Sequence, residues 1–274
     1  MDTNLSFDAN DFHYPKCQKC ELGQFQSQYD WSFIPVGVCI SLKDRDDRTN
    51  EATEQFHRVG LCRRVLFYRP EKDKSPIHRP ATRGCWESHR KIAKTARDQW
   101  GLEQVLVFED DVYFDDKITP ERVQQFRQML ADLPKNWNGC FLGHWPLIAR
   151  PTGRTHTIRT VSLAMHAYVM NKPLMSWMID HPFDGTMFNK LGGLGIDCYL
   201  AVKAKMYAFY PMLAYQSGSV TSNPKPKLGG RILDMALADP KYMRFSQYLG
   251  LGTFYVLVLI VVLIVYFVGR RSKK

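Results

Sequence analysis

Several devices that would announce a function are missing from this 274-residue chain. It has no Gly-x-x-x-x-Gly-Lys-Ser/Thr loop, which sets aside the P-loop enzymes and weakens the case for a nucleotidyltransferase. No stretch interleaves basic and aromatic residues as a nucleic-acid groove would, so no nucleic acid is expected as a partner. Internal repeats and low-complexity tracts are absent, and the N-terminus lacks the charged-then-apolar pattern of a secretory signal. Cysteine does not form a framework. The seven cysteines are an odd number, and Cys17 and Cys20 form a lone Cys-x-x-Cys that no second pair completes into a zinc site. Cys39, Cys62, Cys85, Cys140 and Cys198 stand singly beside apolar segments, a spread expected of reduced, buried thiols.

What is present begins with an ordinary 45% hydrophobic content, enough for one large domain. The net charge of +10 includes four cations, Arg270, Arg271, Lys273 and Lys274, that follow the last apolar run. The remaining, moderately basic body suits anionic small ligands such as nucleotide phosphates, or a membrane surface. Leu249 to Val268 is a 20-residue run without charge, long enough to cross a bilayer, with Tyr248, Tyr255, Tyr266 and Phe267 toward its ends. A single-pass, C-terminally anchored membrane protein of an endomembrane or envelope is the expectation. Tail insertion would leave the large domain in the cytosol, whereas the Arg270–Lys274 cluster has the bias of a cytosolic flank, so sidedness stays open.

The order of elements predicts an α/β domain. Residues 1–30 are polar and read as a loosely held arm. Phe33 to Leu42 predicts a buried strand, followed by a charged loop and a helix from an N-cap at Thr49 to Val59. Leu61 to Tyr68 predicts the next strand, residues 69–83 a proline-rich loop, and Gly84 to Trp100 a helix burying Cys85, His89, Ile92, Ala93 and Ala96. Thr119-Pro120-Glu121 starts a helix with a cap, a proline and an acid in its first turn. A short strand at 139–143 follows, then strands at 161–170 and 206–213, helical pieces at 172–180 and 196–205, and a linker at 223–248. The domain is placed at 31–222, the membrane helix at 249–268 and a basic tail at 269–274.

The chain is organised around Gln104-Val105-Leu106-Val107-Phe108-Glu109-Asp110-Asp111. An apolar strand ends here in three consecutive carboxylates, whose mutual repulsion calls for a cation, and the carboxyl ends of strands are where open α/β sheets bind ligands. Glu109 and Asp111 are the expected metal ligands because alternate strand positions share a side. A solvated acidic turn is the plainer alternative.

Three motifs in order extend this. Ser41-Leu42-Lys43-Asp44-Arg45-Asp46-Asp47-Arg48, then Gly84-Cys85-Trp86-Glu87-Ser88-His89, then Val107-Phe108-Glu109-Asp110-Asp111-Val112 resemble the successive "NL..R.DR", "GC..SH" and "hhEDDv" motifs of glycosyltransferase family 25. That family includes lipopolysaccharide glycosyltransferases and collagen galactosyltransferases. Phe141-Leu142-Gly143 is similar to its next strand, and Asp197, Pro211, Gln216 and Ser222 to its distal region, so the likeness spans roughly residues 35–222. Ser41 stands where the family usually has Asn, and Ser219-Val220-Thr221-Ser222 where many members read Ser-Asp. The resemblance implies a GT-A type, Rossmann-like nucleotide-sugar-binding domain, with a UDP-sugar as donor, Mn²⁺ or Mg²⁺ as cofactor, and inversion at the sugar. Ser41, Leu42, Arg45, Arg48, Ser88, His89 and Asp110 would line the donor site, and Asp197 would be the base that deprotonates a hydroxyl of a glycan or glycoprotein acceptor. His166 and Gln216 would line the acceptor cleft. The residues themselves also admit plainer roles: surface ion pairs for the arginines, a satisfied structural histidine at 89, and a helix cap at Asp197. The rival to an enzyme is a silent nucleotide-sugar or glycan binder, or a structural tail-anchored membrane protein.

Overall fold

The computed structural model describes residues 11–15, 27–75, 80–183, 195–217 and 240–271. Its centre is a seven-stranded mixed sheet. Strands β1 (Phe12–His13), β2 (Gly37–Ile40), β3 (Val65–Tyr68), β4 (Gln104–Glu109), β6 (Gly139–Pro151), β7 (Thr157–Asn171) and β8 (Met206–Phe209) lie in the order β1-β3-β2-β4-β7-β6-β8. Strands β2, β3 and β4 are parallel, β7 runs antiparallel between β4 and β6, and the start of β7 also pairs with β8. A two-stranded ladder of β5 (Val112–Phe114) and β9 (Ala214–Gln216) sits beyond the end of β4.

Helices cover both faces, which is why β4 is apolar at consecutive positions. Leu106 and Phe108 face one core with Phe56 of α1 (Asp46–Arg58) and Phe126 of α3 (Pro120–Asp132). Val105 and Val107 face the other with Trp86 of α2 (Pro80–Lys94), Met175 of α4 (Lys172–Asp180) and Leu200 of α5 (Ile196–Lys203). Phe56, Phe108 and Phe114 pack as a ring cluster with centroids 4.9–6.4 Å apart. Truncating one such buried ring to alanine costs about 3–5 kcal/mol.

Several boundaries differ from expectation for local reasons. The first helix starts three residues before Thr49, at Asp46, because Asp46 and Asp47 place two acids in its first turn, and Thr49 instead donates to the Arg45 carbonyl from inside the helix. Helix α2 starts at Pro80, a residue suited to a first helical position, rather than at Gly84. The arm is not wholly loose: Phe12 is buried, stacks on Tyr68 and adds β1 antiparallel to the open edge of β3. Strands β6 and β7 form one long bulged hairpin where short strands were expected. Cys62 is disulfide-bonded, against the expectation of reduced thiols throughout, while Cys39, Cys85 and Cys140 are free. Cys17 and Cys20 lie outside the described residues.

The C-terminal helix α6 spans Pro240–Arg271, so residues 240–248, expected as linker, are already helical. It packs first on the domain. Gln247 is buried, its amide nitrogen donating to His144 Nε2 at 2.9 Å and the Phe209 carbonyl at 3.2 Å, while its oxygen accepts from the Met212 N–H at 3.0 Å. From Tyr255 to Ile264 every residue is 43–59% exposed, so this part of the helix is not a core element of the described domain. Phe245–Ile264 is long and apolar enough to cross a membrane.

Candidate functional site

Strand β4 ends at Glu109, and Asp110 and Asp111 form a tight turn into β5. The strand rule that alternate residues share a side therefore stops applying after Glu109. The turn is fixed by the pairing of β5 with β9 and by the Ser217 N–H, which donates to the Asp111 carbonyl at 2.6 Å. All three carboxylates line a cavity of about 210 Å³ at the carboxyl end of the parallel strands, together with Leu42, Arg45, Arg48, Ser88 and His89.

Each acid has a different set of partners. Asp110 accepts from Ser41 Oγ at 2.8 Å, and Ser41 in turn contacts Thr49 Oγ1 at 3.0 Å. Burial raises the Asp110 carboxyl, with Ser41 and Arg48 pulling it back. Asp111 accepts from Gln216 Nε2 at 2.7 Å, but its Oδ1 is buried without a partner. Burial and then the neighbouring Glu109 charge push its carboxyl up to about 7. For Glu109, burial acts upward but His89 more than offsets it, and the carboxyl is held below the ordinary range. Its Oε1 lies 3.7 Å from His89 Nε2, and the side chain remains 31% exposed to the cavity.

His89 is fully buried on α2. Its Nδ1 meets the Tyr168 hydroxyl at 2.9 Å, and its Nε2 has no hydrogen-bond partner and points toward Glu109. Cys85, one turn earlier, brings its sulfur into the same cluster, with the candidate ligand atoms of Cys85, His89 and Glu109 within 4.8 Å of one another. Sequence reasoning passed over Cys85, although its spacing of four from His89 on a helix was the available signal. Ser88 is spent locally, its hydroxyl donating to the Gly84 carbonyl at 2.7 Å. Arg45 makes a two-pronged pair with Asp47 at 2.8 and 2.9 Å, beside the cavity mouth. Arg48 is buried and reaches Ser217 Oγ at 3.3 Å.

A second cavity, of about 500 Å³, adjoins the first and shares Ala81, Cys85, Glu109 and Gln216 with it. Trp145, Leu147, Leu163 and Met165 make its walls largely apolar, and Asp197 supplies a carboxylate. Asp197 does not cap α5; Gly195 occupies that position. Its Oδ2 instead accepts from the N–H of Ala164 at 3.0 Å, and Ala164 is held at a left-handed φ of 59°. A non-glycine residue in that region marks a locally constrained backbone. Gln216 touches both cavities. His166 lines neither: it is fully buried beside Glu109, both ring nitrogens lack partners, and burial lowers it to about 4, so it is neutral. Gly143 makes room for that ring, since a Cβ there would collide with His166 and the Ala214 carbonyl.

The carboxylate cleft fits a hard divalent cation on its own chemistry. Asp111 carries an orphaned buried oxygen and a carboxyl raised by burial and then by the neighbouring Glu109 charge, and a cation would satisfy the oxygen and offset the charge.

No family model matches the chain. No curated protein matches it either. Among solved structures, the chain is similar to a protein from STIV (9% identity, 66% of this chain and 84% of that one, TM-score 0.42). It is also similar to a glycosyltransferase involved in the glycosylation of the major capsid of PBCV-1 (12% identity, 65% and 93%, TM-score 0.35). A third is the mannose-1-phosphate geranyltransferase from Thermus thermophilus (12% identity, 65% and 74%, TM-score 0.38). At these scores the likenesses carry no argument about chemistry, which rests on the site itself.

Proposed function

We propose that this protein is a membrane-anchored glycosyltransferase of family 25 type. It moves a hexose from a nucleotide-sugar donor, a UDP-sugar, to a hydroxyl of a glycan or glycoprotein acceptor. The observation that carries the reading is the Asp111 carboxylate, orphaned and raised at the strand end, in a cleft that also holds Arg45 and Arg48. Such a cleft suits a cation–diphosphate pair.

Glu109 and Asp111 would hold the divalent ion, Mn²⁺ or Mg²⁺, whose charge stabilises the departing diphosphate. Asp110, which accepts from Ser41, would meet the donor ribose, and Arg48 would meet a phosphate oxygen. The acceptor hydroxyl enters the second cavity, where Asp197 takes its proton as the oxygen attacks the anomeric carbon. The Ala164 N–H donates to Asp197 Oδ2 and so orients the carboxylate in that cavity. Gln216, shared by both cavities and bonded to Asp111, positions the donor side relative to the acceptor side.

The test is release of nucleoside diphosphate by the full chain in detergent across a panel of UDP-sugars, with Mn²⁺ or with EDTA. Release from one sugar, abolished by EDTA and by Asp111→Asn, is expected. Equal release with EDTA would remove the metal from the reading, and no release from any nucleotide sugar would remove the transferase.

A further inference from the structure

Helix α2 and the end of β4 bring a second kind of ligand to the cleft. Cys85 and His89 stand one turn apart on α2 and so share a face, and Glu109 is the last residue of β4. The ligand atoms they offer, a sulfur, an imidazole nitrogen and a carboxylate oxygen, lie within 4.8 Å of one another. His89 is fully buried, and its Nε2 stands 3.7 Å from Glu109 Oε1, beyond hydrogen-bond reach and with no other partner among the described residues. A buried ring nitrogen aimed at a carboxylate it does not touch leaves room for an ion between them. Two ligands at about 2.0–2.1 Å from a tetrahedral zinc ion sit about 3.4 Å apart, and a thiolate at about 2.3 Å only slightly farther. The cluster closes to that size by a shift of about 1 Å. The Glu109 side chain, 31% exposed to the cavity, is free to make it.

The other ring nitrogen sets the direction of the first. Nδ1 lies 2.9 Å from the hydroxyl of Tyr168, which is buried on β7. With Nδ1–H donating to that oxygen, Nε2 presents its lone pair toward Glu109, the outer-shell support that metal-ligating histidines use. Donor chemistry distinguishes this position from the hard-cation position at Asp111. Carboxylates suit Mn²⁺ or Mg²⁺, whereas a thiolate with an imidazole selects a softer ion such as Zn²⁺. Burial, then the Glu109 and Asp197 charges, push the free Cys85 thiol up. A divalent charge reverses that balance, so the thiol proton passes to solvent as the metal–sulfur bond forms. Cys85 and Glu109 line both cavities, which leaves a fourth coordination place facing the cleft.

The geometry points to Cys85, His89 and Glu109 as a three-ligand Zn²⁺ site at the partition between the two cavities, with Tyr168 as its positioning residue. Its metal binding does not depend on the transfer chemistry proposed above. Glu109 is common to this site and to the proposed Mn²⁺ position, so the two ions would compete for its carboxylate.

The experiment titrates the full chain, stripped of metal in detergent, with Co²⁺, which takes the place of zinc and reports a bound thiolate as a near-ultraviolet charge-transfer band. A band that saturates and is then bleached by Zn²⁺ is expected. Cys85→Ser should lose one equivalent of that band, and Zn²⁺ should raise the melting temperature of the parent more than that of the variant. Tyr168→Phe keeps the buried ring, and Glu109→Gln lies at the cavity surface, so both serve where Cys85→Ser fails to fold. Each should retain the band with a Kd weaker by about 10-fold or more. Absence of a band in the parent, or a band of equal height in folded Cys85→Ser, would overturn the site. Unchanged affinity in both Tyr168→Phe and Glu109→Gln would overturn it as well.

Discussion

Two polar clusters of the domain end differently. The chain from Gln247 through His144, Ser162 and Thr160 to the Ile148 carbonyl closes on itself: each donor has an acceptor. Burial holds His144 near 3, so it stays neutral, as its acceptor role requires. The cluster from Ser41 through Asp110, Asp111, Glu109 and His89 to Tyr168 does not close. Asp111 Oδ1 and His89 Nε2 are buried and unpartnered, and three carboxylates share one cleft. A satisfied network locks one arrangement, while an unsatisfied one has donors and acceptors to offer the cation of the proposed function.

The contrast is broken most directly at Asp111. On the proposed reading, Asp111→Asn removes a cation ligand and a repulsive charge together. Donor turnover should fall by about 10²–10³-fold, while the melting temperature without metal rises, as read by nucleotide release and thermal unfolding. A fall in both would place Asp111 in the structural class. The closed cluster should respond the other way. Gln247→Leu strands the Met212 N–H, the Phe209 carbonyl and His144 Nε2, at a cost of about 3 kcal/mol, seen as a lower melting temperature with turnover per folded molecule unchanged. The same logic moves the boundary for truncation. A chain ending after Gly252 keeps the docked turns, whereas one ending after Phe245 should lose stability to a similar extent.

A smaller effect separates the clusters by pH. Asp111 is held at about 7 against an ordinary 3.8, so the folded chain binds more protons than the unfolded chain between those values. Stability contributed by this group is therefore lost as pH rises from about 4 to about 7. A divalent cation replaces the proton, so Mn²⁺ should raise the melting temperature more above that window than within it, and Asp111→Asn should flatten both trends. Smallest is Ser41→Ala, which loses one hydrogen bond to Asp110 worth about 1 kcal/mol. It should raise the KM for donor several-fold and leave kcat close to the parent.

The open cluster was the more legible in sequence. Val105 to Phe108 announces a strand by composition alone, Glu109 to Asp111 are contiguous, and Ser41, Arg48 and His89 stand in motifs with fixed order. Thr119-Pro120 marked its helix because capping is local, and the structure shows Thr119 accepting from the Arg122 N–H. The docking of Gln247 on the closed cluster was invisible because Gln247 and His144 lie 103 residues apart in the chain. A glutamine before an apolar run reads as linker until His144 is seen beneath it. The length of β6 was hidden by its register shifts at Gly143, Trp145 and Ile148, which destroy the two-residue period. Tyr168, the partner of His89, likewise carried no local mark.

The central claim is that the open cluster holds a cation together with a nucleoside diphosphate. Calorimetric titration of the full chain with UDP, with and without Mn²⁺, tests it without requiring an acceptor. Binding that appears only with Mn²⁺ and is lost in Asp111→Asn, while Gln247→Leu binds as the parent does, is the predicted result. UDP binding of equal strength without the ion, or unchanged in Asp111→Asn, would contradict the account.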